Sequence, residues 1–229
     1  MTRVTLRAGH VQPVWAGHPW IFAQGVGETQ GALEHGGEVE VLDARGNSLG
    51  RGFSSKGSAI AIRLFTRHAD EHFDRTFVEG RLRRALARRA ALGLPDRRPG
   101  RETTGFRCFY GEGDGIPGLV LDLYDDVVVL QIGSAGVAKR REIVLDAIEN
   151  VLQPRAILDR TSEKSARAER FEFVPGLVRG QAPEALVFRE RGFAFDLPLS
   201  LAQKTGYYFD QRPLRDRVEE LAAGRDVLD

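Results

Sequence analysis

Near residue 70 the apolar residues of this chain change their spacing from every second position to every fourth. A chain with two hydrophobic periods cannot build a single kind of layer. Before the change, Val39 and Val41 alternate with Glu38 and Glu40, and Ile60, Ile62 and Leu64 alternate with Ala61 and Arg63. Asp43-Ala44-Arg45-Gly46-Asn47 is a turn cluster between the first of these strands and Ser48–Phe53, which runs back as a hairpin. Short strands with frequent glycines such as Gly36, Gly46 and Gly57 suggest a small closed or nearly closed barrel over residues 1–68. After the change, Val78, Leu82 and Leu86 mark one helix face, and Arg81, Arg84 and Arg88 share another, read as a solvated face.

Pro95–Pro99 interrupts the helical region, so residues 69–103 read as a helical connector and linker. From 104 to 199 the pattern is mixed α/β. Strands are expected at Phe106–Tyr110, Leu119–Leu123, Val127–Ile132, Ala156–Asp159, Ala185–Phe188 and Phe193–Leu197. Ile143, Val144, Ala147, Ile148 and Val151 mark an amphipathic helix. Leu214–Ala223 reads as a short helix ending at Gly224, and Asp226–Asp229 as the opening of a further strand. The fold class is therefore α+β.

Several function classes are excluded by counting. One cysteine closes no intrachain disulfide, and the five histidines show no zinc-ligand spacing. No apolar run approaches the roughly 20 residues of a membrane helix, and Met1-Thr2-Arg3-Val4 is no signal-peptide core. A soluble, cytoplasmic protein without a metal site is expected. Net charge +1 does not single out nucleic acid, although only residues 56, 139, 164 and 204 of the 33 basic residues are lysine. Arginine suits phosphate through its planar fork, but GC-rich coding explains the usage better.

Four segments could carry chemistry. Gly111–Gly118 holds a Gly-x-Gly, but it leads into a strand, so a structural turn is favoured over a phosphate cradle. Its Asp114 could pair with Asp122. His18-Pro19-Trp20-Ile21-Phe22 places two aromatics on one side of an extended strand, for core packing or for stacking on RNA bases. Cys108 sits in an apolar strand, as a buried thiol rather than a nucleophile. Gln203-Lys204-Thr205-Gly206-Tyr207-Tyr208-Phe209-Asp210-Gln211-Arg212 packs charges, aromatics and a permissive glycine into ten residues. It suits a small zwitterionic nucleoside, or an edge that packs its tyrosines.

Taken in order, His18–Phe22, Gly111–Leu119, Leu158-Asp159-Arg160-Thr161-Ser162 and Gln203–Arg212 resemble the PUA-domain-containing, S-adenosylmethionine-dependent large-subunit rRNA cytosine-C5 methyltransferases. The resemblance implies an N-terminal PUA barrel that binds RNA, a central α/β domain, and the start of a Rossmann-like methyltransferase domain at 200–229. It assigns RNA contacts to His18, Trp20, Arg51 and Arg63. It assigns one wall of the S-adenosylmethionine site to Gln203, Lys204, Thr205, Gly206, Tyr207, Tyr208, Asp210 and Arg212. In that family a glycine-rich loop, an Asp-Pro-Pro motif and the nucleophilic cysteine follow this segment. This sequence has no residues in those places, so no catalytic residue is assigned and a truncated chain is expected. Alone it should bind the cofactor weakly or not at all. RNA, with large-subunit rRNA first, is the expected partner, and a homodimer is compatible with the resemblance. The rival reading is a non-enzymatic RNA-binding module.

Overall fold

The computed structural model describes residues 2–202 and 204–228. Six strands form the N-terminal sheet: β1 (Thr2–Leu6), β2 (Trp20–Phe22), β3 (Val26–Gln30), β4 (Glu38–Leu42), β5 (Ser48–Ser54) and β6 (Ile60–Thr66). Their order is β2-β6-β5-β4-β1-β3, and β1 runs parallel to β4. A helical turn, α1 (Gln12–Trp15), adds Val14 to the interior. The alternating side chains do what their period requires. Val4, Leu6, Ile21, Val39, Val41, Ile62 and Leu64 meet inside the curled sheet. The Asp43 carboxylate closes the β4–β5 turn by accepting from the backbone of Arg45 and Asn47. At Gly50 (φ +124°) a Cβ would overlap the Thr66 carbonyl oxygen of β6, so the close approach of β5 and β6 needs glycine there.

The helix α2 (Arg75–Ala91) starts where Asp74 accepts from the Phe77 N–H at 2.8 Å. Its face of Val78, Leu82 and Ala85 is buried against the central domain. That domain is a five-stranded sheet ordered β11-β10-β9-β8-β7. Its strands are β7 (Gly105–Tyr110), β8 (Leu119–Tyr124), β9 (Val127–Ile132), β10 (Ala156–Asp159) and β11 (Gly176–Gly180). Only β9 and β10 pair in parallel, and α4 (Ala135–Lys139) and α5 (Arg141–Leu152) make the crossover between them. The short α3 (Gly111–Asp114) lies between β7 and β8, and α6 (Glu163–Glu169) follows β10. A separate hairpin, β12 (Ala185–Glu190) with β13 (Phe193–Pro198), precedes a 3₁₀ turn at Phe209–Gln211 and α7 (Arg212–Ala222).

The core does not stop at residue 68. Phe53 and Phe65 of the barrel, with ring centroids 4.8 Å apart, join Phe73, α2, α5 and the central sheet in one apolar cluster. Two expectations are corrected. Asp226–Leu228 is not the opening of a strand, and among the described residues from 200 onward there is no strand at all. A strand needs a neighbouring backbone to complete its ladder, and no ladder pairing involves that tail among the described residues. Conversely β11, Gly-Leu-Val-Arg-Gly, gave no strand signal and becomes one because β10 offers it an edge.

Candidate functional site

The segment after β13 is held to the central domain by alternate residues. Thr205 donates its hydroxyl to Asp122 at 2.5 Å. Asp122 is fully buried and takes both prongs of Arg107, at 2.9 and 3.0 Å. The Tyr207 N–H donates to the Tyr124 hydroxyl at 2.8 Å. Gly206 (φ +150°) allows that approach, because a Cβ there would lie 2.5 Å from the same hydroxyl. The Tyr207 ring packs among Phe188, Phe195 and Phe209, with the Arg215 guanidinium 4.7 Å from its centre. Burial pushes the Tyr207 hydroxyl pKa up, and the neighbouring Glu190 adds to that. Arg212 donates to Glu190 at 3.0 Å and to the Gly105 carbonyl at 2.6 Å.

Thr205, Gly206, Tyr207 and Arg212 are therefore anchors: the Thr205 hydroxyl, the Tyr207 N–H and the Arg212 guanidinium have partners within the fold. Tyr207 is half-buried among aromatics, and Arg212, also half-buried, is ion-paired to Glu190. Lys204 is exposed, and Tyr208 is half-buried. The Lys204 ammonium stands 4.5 Å from the centre of the Tyr208 ring, and Asp210 is exposed. Gln203 lies outside the described residues.

Lys204 also borders a cleft of about 490 Å³ at the ends of β9 and β10. Leu158–Ser162 forms its floor, and Gln131, Leu177 and Leu199 complete its walls. Arg160 ties the floor to the 199–202 turn, donating to the Ala202 carbonyl at 2.6 Å. Asp159 is buried, accepts from the Thr161 N–H at 2.9 Å and pairs with Arg141 at 3.1 Å. The structure thus joins two segments forty residues apart. Gln131, Leu177 and Leu199 carried no sequence signal, since each reads as an ordinary strand or turn residue.

On the barrel, His18 and Phe22 are exposed, Trp20 is half-buried, and the three rings stand edge to face at 5.5 and 6.5 Å. With His10 they line a small pocket of about 190 Å³. The indole N–H of Trp20 donates to Glu112 at 2.8 Å, so the barrel touches the 111–118 turn. The other two residues expected to contact RNA lie inside the fold. Arg51 is 3% exposed and ion-paired to Glu38 at 2.8 Å. Arg63 is 7% exposed and grips Glu169 of α6 through both terminal nitrogens, at 2.8 and 3.1 Å. Both guanidiniums are ion-paired within the fold.

The 111–118 segment is a structural turn. The Asp114 carboxylate accepts from the Tyr110 N–H at 2.7 Å and pairs with Arg89 at 2.7 Å. Asp114 and Asp122 are not a pair, since each is neutralised by its own arginines. Cys108 is buried and donates to the Leu121 carbonyl, and burial pushes its thiol pKa far above the ordinary value. Among the described residues no His/Cys/Asp/Glu group is placed to hold a metal ion, and no helix is long and apolar enough to cross a membrane.

Comparison with known proteins bears on the barrel first. Residues 4–67 match the PUA-like domain family. The barrel is a PUA-like domain. Ribosomal RNA large subunit methyltransferase I of Alteromonas mediterranea is 36% identical over 211 residues, which are 92% of this chain and 52% of that protein. The protein of the same name from Klebsiella pneumoniae is 34% identical over 227 residues, 99% of this chain and 56% of its own. The chain thus spans about half the length of the curated relatives it matches. A solved structure from Streptococcus mutans, assigned as a SAM-dependent methyltransferase, superposes with a TM-score of 0.77 at 17% identity. It covers 97% of this chain and 55% of its own. A second solved structure, of a methyltransferase complexed with SAH, gives the same TM-score at 18% identity. At those identities the structural likeness establishes a shared fold.

Proposed function

We propose that these 229 residues are the RNA-binding and cofactor-facing share of an S-adenosylmethionine-dependent large-subunit rRNA (cytosine-C5) methyltransferase. The observation that carries this reading is the similarity to rRNA large subunit methyltransferases along 92% to 99% of the chain, with a PUA-like barrel at its start. His18, Phe22 and the half-buried Trp20 between them are the RNA-stacking group of that barrel, since aromatic faces accept bases of any sequence. A cytoplasmic location accompanies this reading.

The fit to S-adenosylmethionine is partial. Lys204 offers an ammonium for a carboxylate, Tyr208 a ring and Asp210 an acceptor for hydroxyls. These groups lie along one wall, whereas small-molecule sites bury roughly 70–90% of their ligand. When bound, the cofactor supplies an activated methyl group. What this chain's residues do is orient and partly cover it: Thr205, Gly206 and Tyr207 fix the segment that presents Lys204 and Tyr208. A C5 transfer also needs an accessible thiolate, and the one cysteine here is buried.

The test has two arms. A large-subunit rRNA fragment is titrated with residues 1–229 at two salt concentrations, and retention that weakens with salt is expected from counterion release. The same mixture with tritiated S-adenosylmethionine should give no methyl incorporation. Absence of binding at low salt would overturn the RNA reading. Incorporation abolished by Cys108→Ser would overturn the assignment of catalysis elsewhere. The rival, an RNA-binding module without methyl transfer, is favoured if a version spanning the full length of the relatives also transfers no methyl.

A further inference from the structure

We propose that bound RNA leaves the barrel at Trp20 and runs along the arginine stripe of α2, so that the connector helix is a second nucleic-acid surface. The inference rests on the RNA reading above and says where the strand goes next.

The stripe is Arg81, Arg84 and Arg88, three and four residues apart and therefore on one helix face. It spans about 10 Å at 1.5 Å per residue. It adjoins the barrel through unbroken contacts. Arg67 donates to the His18 carbonyl at 3.1 Å, and Arg81 donates to the Phe65 carbonyl at 3.1 Å. Arg88 donates to the Gly113 carbonyl at 2.8 Å, next to the Glu112 that holds Trp20. The aromatic edge of the barrel and the arginine face thus meet at the 110–115 turn.

Their charge is only partly cancelled. Glu71 stands 3.8 Å from Arg81, and Asp114 serves both Arg88 and Arg89. Arg84 is exposed and has no ion-pair partner among the described residues. Burial, then the nearby Arg84 and Arg88 charges, lower the pKa of Arg81. A face that gathers like charges this closely gains when an anion arrives. The neighbouring α2 arginines show the alternative, because Arg75 and Arg83 are both paired with Glu79.

The type of anion follows from what flanks the stripe. Tyr110 is 51% exposed, with the Arg107 guanidinium 5.7 Å from its ring centre, and Phe22 is 42% exposed on the barrel side. Guanidiniums beside open aromatic faces suit a single strand, whose phosphates take the charge while its bases stack. An acidic polypeptide would use the guanidiniums and leave the rings idle.

The experiment is a fluorescence-anisotropy titration of residues 1–229 with a labelled single-stranded RNA over a salt series. Arg84→Ala should lower the log–log salt slope by about 0.7, the share of one phosphate contact on a single strand. Arg84→Glu should weaken binding at least tenfold at low salt. Arg217→Glu, the same charge change on α7, should stay within twofold. Trp20→Ala should weaken binding with the slope unchanged, because stacking releases no counterions. Equal losses for Arg84→Glu and Arg217→Glu would overturn the proposal in favour of overall charge. Equal displacement by polyglutamate and by unlabelled RNA would overturn it in favour of an acidic polypeptide. If Trp20→Ala weakens binding while Arg84→Glu leaves it intact, the stripe falls and the barrel reading stands. If the unmodified chain binds no RNA, both fall.

Discussion

The barrel and the connector helix use the same side chain in opposite ways. Arg51 and Arg63 on the barrel strands are buried and matched to Glu38 and Glu169. Arg84 on α2 is exposed and unmatched among the described residues, and Arg88 is exposed although it shares Asp114. In the first place arginine joins parts of the fold, since Arg63 ties β6 to α6 over 106 positions of sequence. In the second it stays in solvent. Whether an arginine is open to a partner therefore depends on which carboxylate has already claimed it.

That contrast breaks most sharply at Arg63. Arg63→Ala strands the buried Glu169 carboxylate, whose remaining donors are Ser55 and Ser58. A loss of about 3–5 kcal/mol is expected, read as a lower midpoint in urea unfolding. An unchanged midpoint would mean the pair is not buried as described. Arg212→Ala should cost less, about 1–3 kcal/mol, because Arg215 still pairs with Glu190 at 2.7 Å. Equal losses at Arg212 and Arg63 in the same assay would contradict that redundancy.

Acid should loosen a third, smaller set of contacts. Hydrogen bonds from the Asn47 side chain and backbone hold the Asp43 carboxyl below its ordinary value of 3.8. A depressed carboxyl stabilises the fold above its unfolded value, and the contribution fades as pH falls through the folded one. The thermal midpoint should therefore drop below about pH 4, and Asp43→Asn should make that drop shallower; parallel pH curves would refute it. The smallest effects belong to the outward-facing cations. Arg84→Ala and Lys204→Ala should move unfolding by no more than about 0.5 kcal/mol, so any loss of RNA or cofactor binding in them reports contact rather than folding. A shift above about 1 kcal/mol would place either side chain inside the framework.

Local pattern carried the strand and helix positions well. The alternation at Glu38–Val41 and Ile60–Leu64, the i+4 row on α2 and the turn at Asp43 each depend on residues within a few positions of one another. The resemblance to large-subunit rRNA methyltransferases was legible for the same reason, since motifs are local. The partners of charged groups were not. Arg51 and Arg63 read as surface arginines because Glu38 pairs from an adjacent strand and Glu169 from another domain. Within Lys204–Arg212 the residue types announced a site, yet which of them face outward depended on Asp122, Tyr124 and Glu190, none of them near in sequence. β11 exists because β10 had an open edge. Sequence by itself determined the periods, the turns and the inventory of chemical groups. Tertiary structure decided which groups were spent on one another, because a hydrogen bond or ion pair depends on distance in space, and chain separation does not encode it.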